Sequence, residues 1–237
     1  MRIYSLIPLA ALSALLAACG GDNRDVDNRD VDSADQSRLS DAQSAQQAAA
    51  APDADGAREV AGLKTVAAFA AIEDDEARAQ ALFSEMYKVI SHPRCMNCHP
   101  RDDQPRQGET MAAHQPPVTR GAGGAGVPGL ECATCHSEEN VAYAGSEGSI
   151  PGHAPWFLAP ISMGWIGLEA GEICAQIKDP ERNGGRDLAA IHEHNAEDGL
   201  VGWGWRPGAG REPAPGDQAT FGALTLAWIE AGAHCPV

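Results

Sequence analysis

The chain has few aromatic residues and few basic ones. Phe, Trp and Tyr make up 5% of its 237 residues, and 17 Lys and Arg stand against 33 Asp and Glu. The net charge of -16 excludes a typical nucleic-acid binder, because phosphate contacts need clustered basic side chains. Gly and Pro number 26 and 16, which predicts many loops without reaching the composition of a disordered chain. The length allows one ordinary domain or two small ones.

The N-terminus predicts export. The apolar run from Leu6 to Ala18 follows Arg2 and is too short to span a membrane, as in a signal peptide over residues 1–18. Leu16-Ala17-Ala18-Cys19 resembles a bacterial lipobox, so we expect cleavage before Cys19 and diacylglycerol on its sulfur. The alternative is an ordinary secretory signal. Gly20 follows the lipidated position and, by resemblance to sorted lipoproteins, favours the outer membrane. Either signal places the remaining cysteines in an oxidising compartment.

Residues 19–61 have the composition of a lipid-anchored, acidic, disordered tether. The five residues Asp22–Val26 are repeated as Asp27–Val31, and few large apolar side chains are available to offset the entropy of ordering. Through residue 61 there are 10 acidic and 5 basic residues, which leaves 23 and 12 for the remainder, a net charge of -11. The predicted domain over residues 62–237 is therefore acidic itself.

Helical signals dominate this domain. Acidic residues 74–76 precede an apolar pattern of helical spacing that ends at Ile90. Further helices are predicted over 168–178, from an Asp187 cap to about Asn195, and from Asp217 onward. The last helix places four residues on one face: Phe221, Leu224, Thr225 and Trp228. Residues 93–160 are dense in Gly and Pro. We therefore predict a mainly α fold with long irregular loops.

Two short motifs indicate the chemistry. Residues 95–99 and 132–136 both read C-x-x-C-H, the attachment signature of c-type haem. In such a motif two thiols bond the vinyl groups of one porphyrin, and the adjacent imidazole binds iron. The alternatives are a zinc site made from two C-x-x-C pairs or two redox disulfides. Export and the histidine after each pair favour two covalent haems. The predicted attachment residues are Cys95, Cys98, Cys132 and Cys135, with His99 and His136 as proximal iron ligands.

The spacing of the motifs and the other cysteines complete this prediction. The motifs start only 37 residues apart, which predicts one compact di-haem cytochrome c domain with rapid electron exchange between the haems. Cys174 and Cys235 remain, and in an oxidising compartment we expect them to form a disulfide worth about 4 kcal/mol. Two separate buried thiols are the alternative.

The sixth iron ligands decide between electron transfer and catalysis, because an open position permits peroxide or O2 chemistry. We favour His114, which lies between the motifs, and His194, which shares a helix face with an apolar residue. Met163 comes next, and His153 follows it. Met86 is expected in the core. Arg206 and Arg211 are expected either to pair with haem propionates or to lie free on the surface.

Several segments resemble a known family. They are His92–Pro100, His114–Val118, Arg120–Gly121, the second motif, Leu158–Pro160, Ile173–Cys174, Lys178–Pro180, Arg182–Gly185, Trp203–Trp205 and Pro207–Gly208. Over residues 69–236 the chain resembles the small bacterial di-haem proteins labelled isoquinoline 1-oxidoreductase subunit. The resemblance implies a cytochrome that accepts electrons from a molybdenum hydroxylase. No cysteine remains for an iron–sulfur cluster, so hydroxylation would occur on that partner, and no catalytic residue is assigned in this chain.

These inferences predict an exported, lipid-anchored carrier of single electrons, from a periplasmic molybdenum hydroxylase-type dehydrogenase to a respiratory acceptor. The acidic domain predicts a redox partner with a basic docking patch. One alternative is a haem enzyme with an open iron, similar to a small peroxidase. Another is a haem-based sensor or structural subunit.

Overall fold

A computed structural model describes residues 59–237. The predicted signal peptide, the lipidation site at Cys19 and the tether through residue 58 lie outside the described residues. The last three residues assigned to the tether belong to a hairpin, in which Glu59–Val60 pairs with Leu63–Lys64. These residues therefore pair with the start of the predicted domain.

Six α-helices lie in the described residues: α1 (Asp75–Ile90), α2 (Pro93–Met96), α3 (Ala170–Lys178), α4 (Leu188–Glu197), α5 (Gly199–Gly202) and α6 (Gln218–Glu230). Short 3-10 helices cover Val66–Phe69, Cys132–Thr134, Ile161–Met163 and Trp203–Trp205. None of the helices within residues 59–237 is both long and apolar enough to cross a membrane.

Aspartates cap the three longest helices, α1, α4 and α6. Asp74, Asp187 and Asp217 each accept a hydrogen bond from the backbone N–H three residues later, which satisfies a donor that a helix N-terminus leaves free. The predictions of α1, α4 and α6 are confirmed. The prediction for α3 placed its start too early, because Glu169 and Glu172 form a capping box that begins the helix at Ala170.

The strands are four separate hairpins of two residues per strand. They pair β1 (Glu59–Val60) with β2 (Leu63–Lys64), β3 (Arg106–Gln107) with β4 (Ala112–Ala113), β5 (Gly126–Val127) with β6 (Leu130–Glu131), and β7 (Val141–Ala142) with β8 (Ser149–Ile150). Strands this short show no alternation that a sequence pattern reveals. The fold is therefore mixed, with helices as its only long elements and irregular loops between them, which confirms the predicted class in part.

The core lies between α1, α4 and α6. The ring centroids of Phe83 on α1 and Trp228 on α6 are 5.3 Å apart. All four residues predicted to share one face of α6 are buried. Met86 is fully buried, which confirms its core position. On the other side of α6, Gly222 meets Ala196 of α4 so closely that a Cβ on the glycine would lie 2.6 Å from the alanine Cβ.

A disulfide fastens the C-terminus to α3. The S–S distance between Cys174 and Cys235 is 2.00 Å, which confirms the predicted pair. Lys178, at the end of α3, adds a hydrogen bond of 2.7 Å from its Nζ to the carbonyl oxygen of Ala233. The segment after α6 is thus held at two points.

Candidate haem sites

The first C-x-x-C-H motif forms one tight helical turn. Pro93 begins α2, and the Nδ1 of His92 accepts the Arg94 N–H at 3.3 Å as its N-cap. Backbone hydrogen bonds from Cys98 to Cys95 and from His99 to Met96 continue the turn. Residues three and four positions apart share one face of such a turn. The two thiols and the imidazole accordingly line the same cavity.

The cavity of the first motif is mainly apolar. Its volume is about 140 Å³. Apart from the motif residues its walls include Ile90, Phe157, Ile177, Ile191, Leu200 and Phe221. Apolar walls beside two thiols suit an apolar macrocycle that is anchored covalently at one edge. Among residues 59–237, no group of three or more His, Cys, Asp or Glu side chains is placed to hold a metal ion directly.

The second motif repeats the turn at a more exposed position. Cys132 begins a 3-10 helix, and the N–H groups of Cys135 and His136 both donate to its carbonyl oxygen at 3.2 and 3.0 Å. Cys135 is exposed, whereas Cys132 and His136 are half-buried. The two motifs therefore present the same local geometry, one inside a cavity and one near solvent.

Both motif histidines are held in the tautomer that leaves Nε2 free to bind a metal. The Nδ1 of His99 lies 2.7 Å from the carbonyl oxygen of Met163, and the Nδ1 of His136 lies 2.7 Å from that of Pro151. A carbonyl oxygen only accepts, so each Nδ1 carries the proton. Each Nε2 then keeps its lone pair. A second partner of this kind fixes the ring and raises the basicity of a metal-binding imidazole.

A tryptophan stacks on each of these rings. The centroids of His99 and Trp165 are 3.4 Å apart with planes 8° from parallel, and those of His136 and Trp156 are 4.5 Å apart at 6°. Sequence reasoning missed both tryptophans. Their distances along the chain from the histidines follow no common spacing, so no motif marks them.

Burial keeps these groups uncharged. Desolvation lowers the pKa of His99 to about 3, and it also lowers the pKa of His136. Both imidazoles are therefore neutral at pH 7, as a metal ligand must be. In the first motif, burial raises the pKa of Cys95 to about 12 and that of Cys98 to about 11, so both thiols remain protonated.

The structure brings His114 beside His136. Their ring centroids are 6.0 Å apart, and the planes are inclined by 60°. The Nδ1 of His114 lies 2.9 Å from the carbonyl oxygen of Pro116, so this imidazole also keeps its Nε2 lone pair. Of the residues predicted as sixth ligands, His114 is thus next to the second motif.

His194 lies in the cavity of the first motif. It lines that cavity together with His99, and its field contributes to the lowered pKa of His99. The Nδ1 of His194 is 3.2 Å from Oδ2 of Asp198, which holds the same tautomer as in the motif histidines. Burial lowers the pKa of His194, although Asp198 opposes that effect. His114 therefore lies beside His136 at the second motif, and His194 lines the same cavity as His99 at the first.

The other candidate ligands are less well placed. Met163 also lines the first cavity, but its carbonyl already accepts the Nδ1–H of His99, so its backbone lies behind that ring. The Nδ1 of His153 faces the Pro155 carbonyl at 3.3 Å, and its Nε2 lies against Gly199, 2.5 Å from where a Cβ on that glycine would stand.

The two predicted propionate partners are not alike. Arg206 is exposed. Arg211 donates hydrogen bonds within the protein. Its Nη1 donates to Ser149 Oγ at 2.8 Å and to the Pro207 carbonyl at 3.0 Å, and its Nη2 donates to the Ser149 carbonyl. Arg211 thus connects the segment around Ser149 to the loop that contains Pro207.

The two motifs adjoin each other through the segment 158–159. The Ala159 N–H donates to the carbonyl of Cys98 at 3.1 Å, and the Leu158 N–H donates to that of Gly124 at 2.8 Å. The Sγ of Cys132 lies 3.9 Å from the same Gly124 oxygen. Cys132 also contributes to the raised pKa of Cys98. Two adjacent residues therefore connect the thiol edges of both sites.

Comparison with protein-family models, curated proteins and solved structures finds no match for this chain.

Proposed function

We propose that the chain is a di-haem cytochrome c that carries single electrons. The observation that carries the proposal is the pairing of histidines: each C-x-x-C-H imidazole has its Nδ1 proton fixed by a carbonyl, and a second histidine of the same tautomer lies at each motif. A haem with two strong axial ligands has no open position, which favours electron transfer over peroxide chemistry. Bound haem would supply an iron that alternates between Fe(III) and Fe(II).

The residues of the chain have distinct tasks in this proposal. The four motif thiols attach the two groups, and His99 and His136 bind from the proximal side. The carbonyls of Met163 and Pro151 orient these imidazoles, and the stacked tryptophans restrict rotation of their rings. The apolar walls of the first cavity limit solvent access and lower the local dielectric constant, which would tune the reduction potential of the first haem.

The exposure of the two motifs also indicates which site a partner protein would contact. Cys135 of the second motif is exposed, whereas both thiols of the first motif are half-buried, so a partner protein would exchange electrons at the second site. The segment 158–159 would then pass them between the thiol edges. Exposed acidic residues flank the second motif, and they favour a partner with a basic docking patch: Glu131, Glu138 and Glu139.

The proposed donor and location rest on the sequence. The resemblance to the isoquinoline 1-oxidoreductase subunits supports a molybdenum hydroxylase-type dehydrogenase as the electron donor and a respiratory acceptor downstream. The lipobox-like residues before Cys19 support an exported lipoprotein, anchored in the outer membrane by its lipid and held at a distance by the acidic tether.

The test is to produce the protein in a host that attaches c-type haem and to count its haems. We expect two covalent haems per chain in the pyridine haemochrome spectrum, low-spin electron paramagnetic resonance (EPR) signals from both irons, and no spectral change of the reduced protein with CO. CO binding to one haem would favour the open-iron enzyme, similar to a small peroxidase. Zinc without haem would refute the proposal.

A further inference from the structure

Arg94 is a buried cation in the cavity of the first motif. Its side chain is 1% exposed, and its Nε and Nη2 have no hydrogen-bond partner among the described residues. Nη2 lies 2.7 Å from Oε1 of Glu109, close enough for an ion pair but not aligned as a hydrogen bond. Glu109 is itself half-exposed. A buried charged donor without hydrogen bonds costs free energy, so Arg94 has bonding capacity that its own chain leaves unused.

The other buried arginine in the described part of the chain is bonded differently. Arg120 donates from both of its Nη atoms, to the carbonyls of Ala159, Pro100 and Asp102, although its Nε is also unbonded. That side chain fastens three backbone segments together. Arg94 has no such structural task, and it alone of the two lines the cavity.

A second unpaired donor lines the same cavity. The indole Nε1 of Trp165 is buried without a hydrogen-bond partner in the described residues. By contrast, the Nε1 of Trp203 donates to Asn140, and those of Trp205 and Trp228 donate to backbone carbonyls. The tryptophan that stacks on His99 therefore offers a free N–H, whereas Trp203, Trp205 and Trp228 donate theirs within the protein.

We propose that Arg94 binds a haem propionate at the first site, with the Trp165 N–H as a further donor. This inference rests on the proposed function. Haem carries two carboxylates on the edge of the macrocycle away from its thioethers, so a donor that starts beside Cys95 must have a long side chain. The planar guanidinium matches a carboxylate with two parallel N–H groups, and five donors leave room for both Glu109 and a propionate.

The experiment compares Arg94→Gln and Arg94→Lys in the haem-loaded full chain. A nearby cation favours Fe(II), since reduction removes one positive charge from the iron. Arg94→Gln should therefore shift the reduction equilibrium of the first haem about tenfold toward Fe(III), which is about 59 mV for one electron. In the resonance Raman spectrum of Arg94→Gln, the propionate bending band of the first haem should move to lower frequency. Arg94→Lys should keep the potential closer to wild type but still move the band, because the two-pronged contact is lost.

The matched control is Arg186→Gln. Arg186 lines the same cavity, but its Nη1 already donates to the Asn183 carbonyl at 2.9 Å. Its loss should lower the potential through charge alone and leave the propionate band in place. If Arg94→Gln does not fold, Glu109→Gln provides the test: without the competing carboxylate, the propionate contact should strengthen and the band should move to higher frequency.

The outcomes separate this inference from the proposed function. Absence of covalent haem would refute both. Two bound haems with an unchanged propionate band in Arg94→Gln, in Arg94→Lys or in the Glu109→Gln fallback would overturn only the assignment of Arg94. A shift of the propionate band in Arg186→Gln instead would assign the contact to Arg186 and would likewise overturn the assignment of Arg94.

Discussion

The ring centroids of His114 and His136 lie 6.0 Å apart, with the two planes inclined by 60°. Their Nδ1 atoms are bonded to the carbonyls of Pro116 and Pro151, so Nε2 is the nitrogen with a lone pair on both rings. A metal bound at about 2 Å from each Nε2 would hold two such rings roughly 6 Å apart. The separation would suit two imidazoles that bind one metal ion from opposite sides.

His114→Ala should open the second haem. We expect about half of the iron in the loaded protein to become high-spin by EPR, and CO to bind one of the two haems after reduction, because no second strong ligand remains at that site.

His153→Ala is the matched control for this variant. His153 has a similar local hydrogen bond, from its Nδ1 to the proline carbonyl two residues later, but its Nε2 lies against Gly199. The His153→Ala variant should leave both irons low-spin. CO binding by His153→Ala rather than by His114→Ala would reverse the assignment.

His194→Ala should open the first haem in the same way, and the double variant with His114→Ala should bind two CO molecules. His192→Ala, on the same helix, should bind no CO. If His194→Ala stayed fully low-spin and bound no CO, His194 would not be a ligand of the first haem.

Asp198→Asn tests the hydrogen-bond partner of His194. A carboxylate on Nδ1 makes an imidazole a stronger donor to Fe(III), so the amide should raise the reduction potential of the first haem while the iron stays low-spin.

The helices and the motif turns follow local rules, and this is why they were predictable. Asp74, Asp187 and Asp217 precede apolar patterns of helical spacing, and each caps the helix that was expected there. His114 was favoured as a sixth ligand because it lies between the motifs, and His194 because it shares a helix face with an apolar residue. Nothing in the spacing of His114 or His194 states which motif each one approaches.

The orienting groups could not be predicted from the sequence. Met163 and Pro151 contribute backbone carbonyls to His99 and His136, and every residue has a carbonyl. Arg94 lay within a recognisable run, but its burial depends on walls contributed by residues far along the chain. Such burial depends on packing between residues that are distant in the chain, and the pattern of residue types in one sequence does not reveal that packing.

Gly222→Ala should destabilise the domain and disturb the first site. Its new methyl group would stand 2.6 Å from the Cβ of Ala196 and push α4, which carries His194, away from α6. Overpacking typically costs 1–3 kcal/mol, and alanine's better helix propensity offsets up to about 1 kcal/mol of it. We expect a net loss of about 1 kcal/mol in urea unfolding and a larger fraction of high-spin first haem. Adding Ala196→Gly should restore the low-spin signal, and failure to do so would mean that the contact does not position α4.

Removal of the disulfide should lower the free energy of unfolding by about 4 kcal/mol. The bond between Cys174 and Cys235 spans 61 residues and restricts the unfolded chain over that length. The double alanine variant, followed by urea denaturation, measures the effect. Each single variant should lose nearly as much as the double, because either one breaks the same bond. A loss below about 1 kcal/mol would show that the α3 contacts suffice to hold the C-terminus.

Electron transfer to a positively charged partner should slow as salt is added. At 0.15 M ionic strength charges are screened beyond about 8 Å, which weakens steering toward the acidic residues at the second motif. With a small cytochrome c of positive net charge as oxidant, replacement of Glu131, Glu138 and Glu139 by Gln should reduce the stopped-flow rate about tenfold at low salt and by less than about twofold at 1 M. The control replaces three exposed glutamates on the helices, Glu76, Glu193 and Glu230, and removes the same charge. Equal effects of the two triple variants would mean that net charge, and not a docking face at the second motif, controls the encounter.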